Sequence, residues 1–151
     1  MDIALYQPDI PQNTGAVIRT AACLGAGVHI IEPCGFPFSD KGLRRAGMDY
    51  VENATLKRHA SWEEFEAWRA GENRRLILLT TKAKKSYTDF NFKNEDILLL
   101  GRESAGVPDE VSKTADERIL IPMKTGFRSL NVGVAGAIVL AEALRQTGQP
   151  S

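Results

Sequence analysis

Apolar residues occur along the chain in short continuous runs that alternate with longer stretches of helical periodicity. Runs such as RLILLTT and DILLLG predict strands that are covered on both faces, which is typical of a parallel sheet. Strands are expected at 2–6, 28–32, 50–56, 75–81, 96–101 and 118–121. Helices are expected to begin near Asn13 and after Ser61, and to lie at 42–46, 109–115 and 131–146. This alternation predicts an α/β fold with a mostly parallel sheet flanked by helices.

Length and composition suit one domain. The chain has 151 residues, of which 43% are hydrophobic and 25% are charged, and no repeat or linker divides it. A single domain is therefore expected over 1–151. No apolar run approaches the ~20 residues that a membrane helix needs, and the N-terminus MDIALYQPDIP does not resemble a secretory signal. Because Cys23 and Cys34 have no metal or redox spacing, we expect reduced thiols and a cytoplasmic location.

Basic side chains are clustered although the formal net charge is zero, with 19 basic and 19 acidic residues. The clusters include Arg44 with Arg45, and Lys82 with Lys84 and Lys85. Each cluster alone is compatible with a solvated surface. Together they leave an RNA-binding surface open, because local rather than net charge decides phosphate binding.

Three segments combine glycine with polar residues, and each follows a predicted strand. They are NTGAVIR at 13–19, LLLGRESAGVP at 98–108 and IPMKTGFRSLNVG at 121–133. Open α/β sheets bind ligands at the carboxyl ends of their strands, so these segments are candidates for one site. Simpler alternatives are a helix cap with a surface arginine for the first segment, and a tight strand-to-helix turn for the second. Neither a GxGxxG nor a Walker motif is present.

Residues for metal or catalytic-triad chemistry are scarce in the sequence. It holds only His29 and His59, and no metal-binding spacing occurs. Any chemistry is therefore expected to use a bound organic cofactor. The helix at 131–146 is apolar on almost all sides and rich in small residues, which predicts its burial against a second copy of the chain in a homodimer.

In their order, the motifs NTGxxxR, LLLGRESAGVP and IPMKTGFRSLNVGVA resemble the three motifs of the SPOUT methyltransferases. The pieces HIIEPCGF at 29–36, LRRAGMDY at 43–50 and LTTK at 79–82 narrow the resemblance to small SPOUT enzymes that 2′-O-methylate the wobble nucleotide, C34 or U34, of tRNA. The resemblance covers residues 2 to about 147. It implies an α/β sheet with a C-terminal deep trefoil knot, a homodimer, and S-adenosylmethionine as the cofactor.

The resemblance also implies a cofactor site, held largely by backbone groups in the loops. In the third segment, Ile121 and Met123 would wall the adenine, whereas Ser129 and Asn131 would face the methionine end. The cofactor-binding residues implied are Leu79, Gly101, Gly106, Ile121, Met123, Ser129 and Leu130.

Four residues are implied to act on the reacting nucleotide: Asn13, Arg19, Glu103 and Asn131. Because a guanidinium stays protonated, we expect Arg19 to clamp the phosphate and the developing alkoxide rather than to act as a base. Proton removal is left to phosphate, to water or to an Arg19 perturbed by its site. Asn13 and Asn131 are expected to orient groups. Glu103 has three open roles, namely balancing the sulfonium, capping the following helix or fixing Arg19, and an orienting role is favoured.

The implied partner is a tRNA anticodon stem-loop, whose unpaired bases can be splayed out. Its phosphates would contact Arg44, Arg45, Lys82, Lys84 and Lys85. Two alternatives remain open. One is 2′-O-methylation of ribosomal RNA, whose enzymes usually carry an additional N-terminal RNA-binding domain. The other is RNA binding without catalysis.

One departure from the family pattern concerns the last helix. Gly133 and Val134 stand where relatives often have Ser-Asn, and Ala141 stands where they have an aromatic residue. This departure bears on the packing of the dimer and leaves the cofactor site intact.

Overall fold

The computed structural model describes residues 1–37 and 55–148, and a seven-stranded sheet forms the centre of this part. The strands are β1 (Asp2–Tyr6), β2 (Gly27–Ile31), β3 (Leu56–His59), β4 (Leu76–Leu79), β5 (Lys85–Ser86), β6 (Ile97–Leu100) and β7 (Glu117–Leu120). Their order across the sheet is β3-β2-β1-β6-β4-β7-β5, and all paired neighbours run parallel. The predicted α/β fold with a mostly parallel sheet is confirmed.

The central strands are buried on both faces of the sheet, as their continuous apolar runs predict. In β1, Ile3 and Leu5 belong to one hydrophobic cluster, whereas Ala4 and Tyr6 belong to the other. All four residues of β6 are buried. Polar side chains that could bind a ligand are therefore expected at the ends of the central strands and in the segments that follow them.

Four α-helices in the described residues cover the sheet: α1 (Pro11–Leu24), α2 (Trp62–Glu72), α3 (Asp109–Thr114) and α4 (Val132–Thr147). α1 and α4 contribute side chains to the cluster on one face, and α2 and α3 contribute to the other. Gly136 lets α4 approach β6 closely, because a Cβ at this position would lie 2.8 Å from Leu100 Cδ1. None of the helices in the ranges 1–37 and 55–148 combines the length and apolar character that a membrane crossing needs.

Two predicted helix starts are confirmed by side-chain caps. The Ser61 hydroxyl accepts a hydrogen bond from the Glu64 amide at 3.1 Å, and Asn131 Oδ1 accepts one from the Val134 amide at 3.1 Å. Each cap satisfies an amide that the first turn leaves without a partner.

Some boundaries differ from the prediction. α1 begins at Pro11 rather than near Asn13, because proline suits the first helical turn, where an amide hydrogen is not needed. Residues 50–54 of the strand predicted at 50–56 lie outside the described residues. β3 begins at Leu56 and pairs with β2. The sequence pattern misses β5, because a strand of two residues shows no periodicity. The helix predicted at 42–46 lies outside the described residues.

Candidate active site

A cavity of about 320 Å³ lies at the carboxyl ends of β4, β6 and β7. Its walls come from the ends of these strands, from the segments that follow them and from the first turn of α4. The residues predicted to hold a cofactor all line it: Leu79, Gly101, Gly106, Ile121, Met123, Ser129 and Leu130. The structure thus brings the second and third polar segments together around one space.

The segment after β6 is a tight loop closed by its own backbone. Arg102 and Gly106 exchange two backbone hydrogen bonds, each of 2.9 Å. Gly106 has a φ of +65°, a conformation that favours glycine. A Cβ at Gly101 would lie 2.8 Å from the Gly106 backbone, so a side chain there would collide with the loop. The tight turn considered as an alternative is therefore present, and it also forms one wall of the cavity.

The segment after β7 crosses the mouth of the cavity before α4 begins. The Phe127 amide donates to the Lys124 carbonyl at 3.3 Å, and Gly126 between them has a φ of +99°. This geometry is a β-turn with glycine at the position that requires a positive φ. Because residues on both sides of the turn, Met123 and Ser129, line the cavity, the turn itself lies at the rim.

Asn13 and Asn131 are in direct contact although 118 positions separate them in the sequence. Asn131 Nδ2 donates to Asn13 Oδ1 at 2.9 Å, while Asn131 Oδ1 caps α4. Gly133 leaves room for this contact, since a Cβ there would lie 3.2 Å from Asn131 Oδ1 and 3.5 Å from Ala16 Cβ. The pair fixes the start of α4 against α1, next to the rim of the cavity.

Glu103 lines the cavity and is bound to a residue that the sequence analysis does not identify. Glu103 Oε2 accepts a hydrogen bond from the Asp9 amide at 3.2 Å, and the Asp9 carboxylate accepts one from the Ser104 hydroxyl. The hydrogen bond with Glu103, followed by that with Ser104, holds the pKa of Asp9 below its usual range. Burial, followed by the hydrogen bond with Asp9, raises the pKa of Glu103. Of the two carboxyl groups, Glu103 is therefore the one that takes up a proton more readily.

Arg19 lies on the exposed side of α1 and is not among the residues that line the cavity. The first polar segment is therefore linked to the third by the hydrogen bond between Asn13 and Asn131. Its arginine, Arg19, lies outside the cavity. This arrangement separates the predicted clamp from the predicted cofactor pocket.

Exposed basic side chains surround the cavity. Lys82 lines it directly, and Lys84 and Lys85 follow on the same segment, which leads into β5. Lys124 and Arg128 add two further exposed cations on the segment after β7. Arg44 and Arg45 lie outside the described residues. In 1–37 and 55–148, no group of three or more His, Cys, Asp or Glu side chains could hold a metal ion.

Known proteins resemble this chain over nearly all of its length. The profile of the SpoU rRNA Methylase family matches residues 1–141. A tRNA (cytidine(34)-2′-O)-methyltransferase of Ancylobacter novellus is 58% identical over 146 residues, which cover 97% of this chain and 92% of that relative.

Two solved structures extend the comparison. One, described as "Structural insights into the 2-OH methylation of C/U34 on tRNA", has a TM-score of 0.90 at 40% identity and covers 96% of this chain and 94% of its own. The AdoMet-bound rRNA methyltransferase of Sinorhizobium meliloti has a TM-score of 0.85 at 32% identity, over 95% of this chain and 55% of its own.

Proposed function

The chain belongs to the SpoU rRNA Methylase family, and on that premise we propose that it methylates the 2′-hydroxyl of the wobble ribose, C34 or U34, in a tRNA anticodon loop. The observation that carries the proposal is the 58% identity, over 97% of the chain, to a relative named for methylation at cytidine 34 of tRNA. The resemblance drawn from the three motifs is confirmed by the family match. The ribosomal RNA alternative has weaker support, since the related rRNA methyltransferase is 32% identical.

We infer that S-adenosylmethionine binds in the cavity, since the related methyltransferase of Sinorhizobium meliloti is AdoMet-bound. The residues fit this cofactor: Leu79, Ile121 and Met123 offer apolar walls, and the strand ends offer backbone donors and acceptors. The tight loop from Gly101 to Gly106 forms one wall of this space. It requires glycine, since a Cβ at Gly101 would lie 2.8 Å from the loop backbone. When bound, the cofactor supplies an electrophilic methyl group on a sulfonium.

The chain's own residues would position the ribose and stabilise charge. Asn131 uses both ends of its amide, one on α4 and one on Asn13, so we assign this pair to holding the loop that carries Ser129. Arg19, outside the cavity, would clamp the phosphate and the developing alkoxide once RNA is bound. Glu103 is held by the Asp9 amide at 3.2 Å, which supports the orienting role expected for it.

We infer that the exposed cations around the cavity contact RNA phosphates. Lys82, Lys84 and Lys85 lie beside one wall, and a nucleotide whose ribose reaches the cavity would carry its phosphates past them. An unpaired anticodon nucleotide can be turned into such a cavity at a modest cost in stacking. Arg44 and Arg45 keep this role as a sequence-based prediction.

A homodimer through the C-terminal helix is our proposal for the assembly. One side of α4 is buried inside the chain, including Val139 and Leu140. Val134 and Ala141 lie on its exposed side, which leaves apolar surface for a second copy. Light scattering should give twice the 16.6 kDa chain mass. Val134→Glu should halve that mass without unfolding the chain, whereas a wild-type monomer would contradict the proposal.

Two further properties are inferred from the family resemblance. We propose that the segment from β7 into α4 is threaded as a deep trefoil knot in one domain spanning 1–151. Tracing residues 76–148 in an experimental electron-density map tests the knot, because an unthreaded chain would pass outside the loop. A cytoplasmic location suits the free thiols of Cys23 and Cys34 and the proposed tRNA substrate.

The central test is methyl transfer from labelled S-adenosylmethionine to an anticodon stem-loop, with the product located by mass spectrometry. A single methyl group on the ribose of nucleotide 34 is expected. A matched stem-loop with 2′-deoxyribose at that nucleotide alone should accept none, because it lacks the attacking oxygen. Equal transfer to the deoxy substrate, or transfer to ribosomal RNA only, would overturn the proposal.

A further inference from the structure

Phe127 is more exposed than any other large apolar side chain in the described residues. It is 72% exposed, whereas Val134 is 51% and Leu130 is 40% exposed. A ring of this size in water forgoes the stabilisation that burial would supply. Such an exposed ring is therefore a candidate for contact with a partner molecule.

The local backbone holds Phe127 at a defined place. Its amide closes the β-turn on the Lys124 carbonyl at 3.3 Å, and Gly126 supplies the positive φ of +99° that the turn needs. The ring follows directly on this turn, at the rim of the cavity that Met123 and Ser129 line. The turn thus fixes the backbone of Phe127 next to the cavity, while the ring projects into solvent.

The charge around Phe127 favours a polyanion as the partner. Lys124 and Arg128 flank it, both are exposed, and the stretch IPMKTGFRSLN at 121–131 contains no acidic residue. Lys82 adds a third cation on the lining of the same cavity. The core of a protein–protein contact is usually depleted in lysine, whereas aromatic rings between cations are typical of surfaces that bind single-stranded nucleic acid.

We propose that Phe127 stacks on an unpaired base of the anticodon loop, next to the nucleotide whose ribose enters the cavity. The inference rests on the function proposed above. It adds a residue that contacts a base of the RNA rather than a phosphate. Stacking places the flat ring on the base, while Lys124 and Arg128 contact the adjoining phosphates. The ring would thereby keep the loop open while one nucleotide is turned out.

The test measures the Kd of a fluorescent anticodon stem-loop by anisotropy, with the intact RNA and with a series that carries one abasic nucleotide at each unpaired position. Phe127→Ala should raise the Kd for intact RNA about 10-fold, within the range known for loss of base stacking. Phe127→Trp should restore most of the affinity. Phe127→Leu should behave like the alanine variant, because it is apolar but cannot stack.

The abasic series separates stacking from a structural role. At one position, loss of the base should raise the Kd for wild type about 10-fold relative to intact RNA. For Phe127→Ala, the same abasic RNA and the intact RNA should have equal Kd values. The Kd for S-adenosylmethionine should be the same in both proteins. A constant ratio between wild type and Phe127→Ala across the whole series would overturn the inference.

Three other results would also overturn it, for different reasons. If Phe127→Ala changes the mass in light scattering and leaves RNA binding intact, the ring is a contact between protein chains. If wild type neither binds nor methylates the stem-loop, the proposed function fails together with this inference. If wild type methylates nucleotide 34 and Phe127→Ala binds all RNAs equally well, only the stacking role fails.

Discussion

At the amino ends of the strands charged side chains are paired with one another, whereas several cations near the cavity at the carboxyl ends face solvent. Arg74 Nη1 lies 2.9 Å from Asp2 Oδ2, and Arg75 Nη2 lies 2.6 Å from Asp96 Oδ2. By contrast, five exposed cations near the cavity form no ion pair with any residue in 1–37 or 55–148; they are Lys82, Lys84, Lys85, Lys124 and Arg128. The paired charges at the amino ends serve stability, whereas these five cations are available to a partner.

The amino-end network continues into a buried histidine pair. His29 Nε2 lies 2.8 Å from Asp2 Oδ2, and His29 Nδ1 lies 3.0 Å from His59 Nε2. Burial raises the pKa of Asp2, but hydrogen bonds from His29 and Arg74 outweigh it and hold this pKa well below its usual range. Burial, followed by the charges of His29 and Lys57, lowers the pKa of His59 to about 4. The network is thus built for a charged Asp2 and a neutral His59.

The largest effect is expected at Arg19, where substitution should lower the rate of methyl transfer. Arg19→Ala should lower single-turnover methyl transfer about 100-fold, the scale of losing one donor to a transition state. The Kd for S-adenosylmethionine should not change, because Arg19 does not line the cavity. Arg19→Lys should restore little, since an ammonium cannot replace a planar fork. A wild-type rate for Arg19→Ala at saturating RNA and cofactor would remove the clamp from the mechanism.

Gly101→Ala should act on the cofactor. The added methyl group would lie 2.8 Å from the Gly106 backbone and force the loop out of shape, which corresponds to a cofactor Kd raised about 30-fold in calorimetry. Gly71→Ala is the matched control, because no heavy atom lies within 4 Å of its Cβ. The control should bind cofactor normally and unfold at a slightly higher temperature. Unchanged binding by Gly101→Ala would mean that the cofactor lies elsewhere.

Asp2→Asn should lower the stability of the fold rather than the rate of methyl transfer. Loss of the carboxylate leaves Arg74 and His29 without their shared partner, and the free energy of unfolding should fall by about 2 kcal/mol in a urea titration. Glu95→Gln is the control, since Glu95 contacts the same Arg74 at 3.9 Å but is 79% exposed. Its effect should stay below ~0.5 kcal/mol. Similar losses in both variants would show that the buried network carries no special stability.

Acidification should destabilise the fold through the buried histidine pair. An unfolded His59 binds a proton near pH 6.5, whereas the folded one does so near pH 4, so the unfolded state gains more protons as the pH falls. Linkage then predicts a loss of about 1 kcal/mol in the free energy of unfolding between pH 6.5 and 5.5. His59→Gln should flatten this slope, whatever its effect at pH 7. The same slope in wild type and variant would assign the pH dependence to another group.

The smallest effect is expected for a single cation at the carboxyl end. Lys84→Ala should raise the apparent tRNA KM about 3-fold and reduce the salt slope by about one, as expected when one phosphate contact is lost. Lys93→Ala is the charge-matched control, because the exposed Lys93 precedes β6 at the other end of the sheet. Equal effects of the two substitutions would indicate nonspecific attraction rather than a binding surface.

The sequence predicts well those features that depend on neighbouring residues. Gly101 and Gly106 mark a tight loop because glycine is the residue that such backbone requires, and the apolar runs identify the buried strands. The segment 121–131 is predicted to be functional because it places polar residues between two buried elements.

Contacts between distant residues are beyond such patterns. Asp9 is separated from Glu103 by 94 positions, and its PDIP segment predicts only a turn. In the same way, Asn131 is predicted as a helix start, but its hydrogen bond to Asn13 follows from how α4 packs on α1. Hydrogen bonds of this kind depend on the sheet order, which local periodicity does not encode.

The hydrogen bond from Asn131 to Asn13 also orders events during synthesis of the chain. Asn13 leaves the ribosome long before Asn131, so α1 and most of the strands can form before the loop at 121–131 exists. Long-range contacts of this type close slowly, since the chain between them must first be ordered. The cavity needs residues from 121–130 in its wall, so a nascent chain that lacks them cannot yet hold a cofactor there.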